Sequence, residues 1–274
     1  KWKNIPYATI SEAQKLAVYL PDQGNGPFPV ILAIHGGAFK FGDKASSHMV
    51  FMLEGLKKGY AVISINYRMS GEAKAPQLIH DVKAAVRWVR AHASEYKLNG
   101  NKIAAWGPSA GGHLSALVGT SAEVKALEDF SLGNAAQSSR VQAVVDWFGP
   151  INFLTMDDQY DMLGVKGMPH NTADSPESLV IGKHIIHAEE EVKAFNPETY
   201  ITKDDPPFFI QHGSKDPLIP YLQSMAFADA LYKVLGKEKV HFELLEGEGH
   251  GGPQFFDQKN LEKIFAFLDR YLKD

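Results

Sequence analysis

Ser109 stands inside the run Gly107, Pro108, Ser109, Ala110, Gly111, directly after a short apolar stretch at residues 102–106 and directly before residues able to begin a helix. This is the G-x-S-x-G pattern of a nucleophile elbow, a sharp strand-to-helix turn that holds a serine hydroxyl outward and accessible. The five-residue pattern alone is common by chance, so the strand before it and the helix after it carry the inference. Serine chemistry further requires a base to take the hydroxyl proton and a carboxylate to orient that base. His250 lies in a glycine-rich loop, residues 246–252, just past an expected strand. Asp216 follows another expected strand in the run His212, Gly213, Ser214, Lys215, Asp216, Pro217. The reading is therefore Ser109 as nucleophile, His250 as base and Asp216 as acid.

A fourth feature is His35, Gly36, Gly37, Ala38 and Phe39, which come directly after an apolar run at residues 29–34. This matches an HGGG-type loop, whose backbone N–H groups, with that of the residue after the nucleophile, receive the negative charge of a tetrahedral intermediate. Gly37, Ala38 and Ala110 are assigned as those donors. Losing one such donor typically costs about 3 kcal/mol in the transition state. Duller readings compete at several positions. Ser109 could sit in an ordinary glycine-rich turn, and Asp216 could cap a helix starting near Pro217. His250 could be a plain loop histidine, while Asp146, Asp205 and Asp257 are rival carboxylates and His113 and His212 rival bases that read more simply as structural. His35 is expected to order its own loop by hydrogen bonding. His184 and His187, followed by Glu189, Glu190 and Glu191, could share a helix face as metal ligands, although a solvated acidic face is the simpler reading. No metal is therefore assigned, and without a dinucleotide fingerprint or Walker loop no cofactor is implied.

These residues need elements to bring them together. Short β-branched runs at residues 15–20, 29–34, 60–65, 102–106, 141–147, 207–212 and 240–245 read as strands, and they alternate with helical patterns at 78–92, 221–235 and 260–272. That alternation predicts a mostly parallel sheet with helices on both faces. A further run at residues 5–10 is separated from 15–20 by no helix-length spacer, which predicts an antiparallel hairpin at the sheet edge and eight strands in all. Ser109, Asp216, His250 and the 35–39 loop all follow strands, so all should meet at the carboxyl edge of the sheet. Residues 151–205 break the pattern, with scattered Met, Gly, Pro and His and one clear helix around 185–195. They read as a small lid or pocket wall within a single domain spanning 1–274; a variable surface excursion is the alternative. Phe39, Trp147 and Phe148 are expected to wall an acyl group near the strand ends, with core packing as the competing role.

With 274 residues and 45% apolar composition, the chain can bury one sizeable core. A net charge of −4 without a basic run offers no footprint for nucleic acid or anionic lipid. The apolar runs fall well short of the ~20 residues that cross a bilayer, so a soluble protein is expected, with no membrane partner. Zero cysteines suit either an exported or a cytosolic protein, and a start at Lys1 suits either a processed precursor or a trimmed chain; compartment and oligomeric state stay open.

Taken with the Ser, Asp, His chain order and the segments 64–68, 81–89 and 212–220, these motifs resemble the α/β-hydrolase fold over nearly the whole chain. More narrowly, they resemble the acetyl-esterase and feruloyl-esterase-like (BD-FAE-like) serine esterases. Two departures stand out. The oxyanion loop has Ala38 in place of a third glycine, and no long cap precedes Lys15 as it does in hormone-sensitive-lipase relatives, which implies a more open pocket. The expected activity is carboxylic-ester hydrolysis through an acyl-enzyme. The resemblance implies a small-molecule or saccharide ester as substrate, with acetyl or feruloyl esters of plant polysaccharides in view. An arylformamidase or amidase on the same scaffold and a non-catalytic binding module are the alternatives.

Overall fold

A computed structural model describes residues 1–273 of the chain. The strands are β1 (Trp2–Pro6), β2 (Lys15–Tyr19), β3 (Phe28–Ile34), β4 (Ala61–Ile65), β5 (Leu98–Pro108), β6 (Ala143–Trp147), β7 (Phe208–Gly213) and β8 (Val240–Leu245). They form one eight-stranded sheet in the order β1-β2-β4-β3-β5-β6-β7-β8. The β1/β2 and β2/β4 pairs are antiparallel and all others parallel, so the expected edge hairpin and parallel body are both present. The first strand lies at Trp2–Pro6 rather than 5–10. It is exposed at the sheet edge, and no buried face there imposes a register on the sequence pattern.

Strand side chains alternate between two cores. Val30, Leu32 and Ile34 of β3 pack on one face with α1 (Gln77–Ala91), α2 (Ala110–Thr120) and α6 (Leu222–Leu235). Ile31 and Ala33 face the other side, against Leu261, Ile264, Phe265 and Leu268 of α7 (Gln258–Leu272) and Met52 of a short 3-10 helix at Phe51–Lys58. Both faces are covered, which is why the central strands read as continuous apolar runs. α1 also buries two cations, Lys83 and Arg87. Both meet the buried carboxylate of Glu128, with Lys83 Nζ 3.4 Å from its Oε1, so the charges enter the interior paired.

The segment between β6 and β7 is more ordered than its sequence suggests. It contains α3 (Met156–Leu163), α4 (Pro176–Ile181) and α5 (Glu189–Phe195), the last preceded by a 3-10 turn at Ile185–His187. The two extra helices are too short to display a hydrophobic period and are bounded by caps. Ser175 accepts from Ser178 N–H at the start of α4, and Gly164 and Gly182 take left-handed conformations at the ends of α3 and α4.

Candidate active site

β5 ends at Pro108 and α2 begins at Ala110, so Ser109 alone makes the turn, with φ 54° and ψ −125°. A residue with a Cβ takes such angles only when its surroundings over-determine them. Here Ser109 N–H donates to Trp147 O at 2.8 Å, tying the turn to the neighbouring strand. The flanking positions require glycine because of close approach rather than φ. A Cβ on Gly107 would lie 2.3 Å from Gly111 C and O, and one on Gly111 would lie 2.1 Å from Ile34 O. Backbone is pressed against backbone, and Ser109 is left half-buried at the carboxyl edge of the sheet.

The loop after β3 folds against this turn: a Cβ on Gly36 would sit 3.3 Å from that of Ser109. Lys40 N–H and Phe41 N–H both donate to Gly37 O at 2.9 Å, closing the loop on itself. Among the described residues, the N–H groups of Gly37 and Ala38 donate to no protein acceptor. Ala110 opens α2, so its N–H belongs to the unpaired donors of a first turn. His35 stays behind the loop, stacked on Tyr67 at 4.4 Å with Nδ1–H donating to Gly36 O at 2.7 Å, and burial lowers its pKa. Its role is to order the loop.

Asp216 and His250 come together as expected: His250 Nδ1 lies 2.6 Å from Asp216 Oδ2. The second oxygen of Asp216 accepts N–H bonds from Leu218 at 2.8 Å and Ile219 at 3.0 Å, so the turn-capping role considered for this residue coexists with the imidazole contact. The helix itself starts later, at Leu222. Burial alone would raise the Asp216 pKa, but hydrogen bonds from His212 and His250 and their charges bring it well below the ordinary carboxylate range. His212 is a fully buried partner of the same group. Its Nε2 lies 3.3 Å from Asp216 Oδ2 and 3.0 Å from Ile219 O, while Nδ1 meets Ser224 Oγ at 2.7 Å.

The rival groups are placed elsewhere. His113 is buried among Phe39, Phe153 and Phe195 with Nδ1–H donating to Pro150 O, and burial pushes its pKa down to about 4. Asp146 is buried against Gly112 and Gly149, Asp205 accepts from Thr202, and Asp257 caps α7 through Asn260 N–H. His184 and His187 touch edge to face, Glu191 pairs with Lys183, and among the described residues no group of three potential ligands could hold a metal ion.

Ser109, His250, Gly37 and Ala38 line one cavity of about 440 Å³, with Trp147 and Phe148 in its wall. Phe148 packs against the His250 ring at 4.5 Å. Phe39 does not line it: the side chain is 1% exposed and packs with His113, Phe153 and Phe195, a correction to its expected role as a pocket residue. Its φ of 57° turns it from the loop into the core. The wall also includes Phe41, Ser46, Ser47, Leu218 and Phe256, to which the sequence motifs assign no pocket role. The one sequence signal for Phe41 and Leu218 is nearness to Gly37 and Asp216. None of the lining residues comes from 151–205. Of the seven non-glycine residues with positive φ among the described residues, Ala38, Phe39, Ser109 and Phe148 cluster here, the distribution expected where strain is retained for function. A strained serine, an imidazole fixed by a carboxylate, and unpaired N–H groups around one cavity can perform acyl transfer.

Fold and site together define an α/β-hydrolase. The chain belongs to the BD-FAE family, whose model matches residues 16–231. The chain is 32% identical over 243 residues to the probable carboxylic ester hydrolase LipM of Mycobacterium tuberculosis, covering 88% of this chain and 54% of that protein. It thus spans about half the length of this curated relative. Among solved structures, a bifunctional GH43-CE protein of Bacteroides eggerthii superposes with a TM-score of 0.89 at 38% identity, covering 99% of this chain and 35% of that one. A truncated carbohydrate esterase from gut microbiota superposes with a TM-score of 0.90 at 35% identity, covering 100% and 96%.

Proposed function

We propose that this protein is a serine carboxylesterase that hydrolyses short-chain acyl or feruloyl esters carried on saccharides. The observation that supports it best is the 2.6 Å contact between His250 and Asp216, made beside the same cavity that Ser109 enters from a strained turn. Asp216 only accepts, so it selects the tautomer of His250 with hydrogen on Nδ1 and leaves Nε2 as the base. Ser109 Oγ attacks the ester carbonyl as His250 takes its proton. The oxyanion is received by the N–H groups of Gly37, Ala38 and Ala110. His250 then protonates the departing alcohol, the acyl group stays on Ser109, and a water activated by the same imidazole releases the acid. Trp147, Phe148, Phe41, Leu218 and Phe256 supply apolar walls, and their aromatic rings suit a short acyl chain or a single aromatic ring. The likeness to a carbohydrate esterase supports a saccharide on the alcohol side.

The test is the initial rate on p-nitrophenyl esters from acetate to decanoate, on methyl ferulate and on N-formylkynurenine. Rates should be highest for acetate to butyrate or for ferulate, fall toward decanoate, and drop by about 10⁵–10⁶-fold in Ser109→Ala. Activity confined to the formamide, or insensitive to the substitution, would overturn the reading.

A further inference from the structure

Residues 151–205 contribute nothing to the cavity wall, yet they grip the loop that carries Asp216. Four successive carbonyls of that loop each receive a donor. Asp216 O accepts from Tyr160 Oη–H at 3.2 Å, Pro217 O from Met168 N–H at 2.9 Å, Leu218 O from His170 Nε2–H at 3.0 Å, and Ile219 O from His212 Nε2–H at 3.0 Å. Three of those donors, Tyr160, Met168 and His170, belong to the insertion.

His170 is the best held of them. It is 0% exposed and stacks parallel to Tyr160, and its backbone N–H donates to Asp157 Oδ1 at 2.8 Å. Its Nδ1 lies 3.0 Å from Oε2 of Glu177, a carboxylate that is itself 2% exposed. A carbonyl can only accept, so Nε2 must carry hydrogen to meet Leu218 O. The remaining nitrogen faces the glutamate at 3.0 Å, and among the described residues neither Nδ1 nor Oε2 has a hydrogen-bond partner, so each is the nearest polar group the other has. A histidine and a glutamate are costly to bury for packing alone, and here the histidine reaches the loop of Asp216 with the glutamate behind it. That loop in turn sets the carboxylate, since Leu218 N–H and Ile219 N–H hold Asp216 Oδ1 while Oδ2 is left to His250.

We infer that His170, backed by Glu177, is a positioning residue for Asp216: it fixes loop 216–219, and through Leu218 and Ile219 the angle at which the carboxylate meets His250. The insertion is then a clamp on the acid rather than a cover over the cavity. This rests on the assignment of Ser109, His250 and Asp216 proposed above.

The experiment compares wild type, His170→Ala, His170→Gln and Tyr160→Phe by pH profiles of kcat and KM on p-nitrophenyl acetate. Alongside, NMR follows the low-field proton between His250 Nδ1 and Asp216. A misplacement of the acid costs on the order of 10–100-fold in kcat, which is the loss expected in His170→Ala, with KM nearly unchanged. The acid limb of kcat/KM should move to lower pH, because a misaligned carboxylate supports the protonated imidazole less well. The low-field proton should broaden or shift upfield. The amide of His170→Gln can still donate to Leu218 O, so this variant should recover most of the rate. Should His170→Ala fail to fold, Tyr160→Phe carries the test with a smaller change of the same sign. A folded His170→Ala, or in its absence Tyr160→Phe, with wild-type kcat, pH profile and low-field proton would overturn the clamp. If the wild type cleaves no ester, the functional reading fails by itself, and the NMR comparison still decides whether His170 sets the His250–Asp216 contact.

Discussion

Two buried carboxylates in this molecule titrate in opposite directions, and the difference lies in what each is given to accept. Asp216 receives two backbone N–H groups and two imidazoles, so it is held ionised with its pKa well below the ordinary range despite burial. Among the described residues Asp146 receives only Gly149 N–H and its Oδ2 has no partner, and burial pushes its pKa up to about 7. The signs for stability follow. Asp216 is more acidic folded than unfolded, so it contributes stability above its unfolded value near 4, lost as pH falls toward its folded value. Asp146 holds its proton more tightly when folded, so folding is progressively penalised from about pH 4 to about pH 7, and the penalty is constant above that. Asp146→Asn removes the titration. Relative to wild type it should therefore gain about 2 kcal/mol more at pH 8 than at pH 5, read by urea denaturation; curves that stay parallel across that interval would contradict the assignment. Asp216→Asn should keep the fold but lose about 10⁴-fold in kcat, since an amide donor facing Nδ1 selects the wrong imidazole tautomer. A loss below tenfold would remove Asp216 from the relay.

The strand-turn-helix of β5 and α2 is where the sequence was most legible, because its glycines are demanded by backbone contact. A methyl group on Gly111 would press on Ile34 O, which is itself fixed in the sheet, so neither side can give. Gly111→Ala should cost about 3–5 kcal/mol in denaturant unfolding and lower turnover more than a remote substitution of equal cost, since the displaced turn carries Ser109; a stability within 1 kcal/mol of wild type would show that the contact relaxes. The parallel strands and the long helices α1, α6 and α7 were legible for a different reason, their apolar residues repeating over three or four turns or filling a strand buried on both faces. Other elements were not. α3 and α4 have eight and six residues, too few to display a period, and the 3-10 helix at Phe51–Lys58 lies outside the 3.6-residue template. Phe39 followed the oxyanion loop in sequence but its left-handed backbone sent the ring to the core, a direction that residue type does not encode.

Across the whole molecule, each group assigned to chemistry follows a strand of the parallel sheet: Gly37 and Ala38 after β3, Ser109 and Ala110 after β5, Phe148 after β6, Asp216 after β7 and His250 after β8. Strand order sets the neighbourhood, with β3, β5, β6, β7 and β8 adjacent in that sequence, so positions spread over more than 200 residues meet at one edge. Chain order and strand ends were enough to expect that Ser109, Asp216 and His250 would meet at one edge of the sheet. Of the cavity wall, Trp147 and Phe148 were legible from their place at the end of β6, whereas Phe41, Ser46, Ser47, Leu218 and Phe256 were not, because they are gathered by loops that carry no periodic signal. Among the described residues no helix is long and apolar enough to cross a membrane. The most direct test of the central claim, that Ser109 is a nucleophile activated by His250, is labelling of the folded protein with a fluorophosphonate, followed by peptide mapping. The expected result is a single adduct on the peptide containing Ser109, absent in Ser109→Ala and formed far more slowly in His250→Ala. An adduct on another residue, equal labelling in His250→Ala, or none in folded wild type would contradict it.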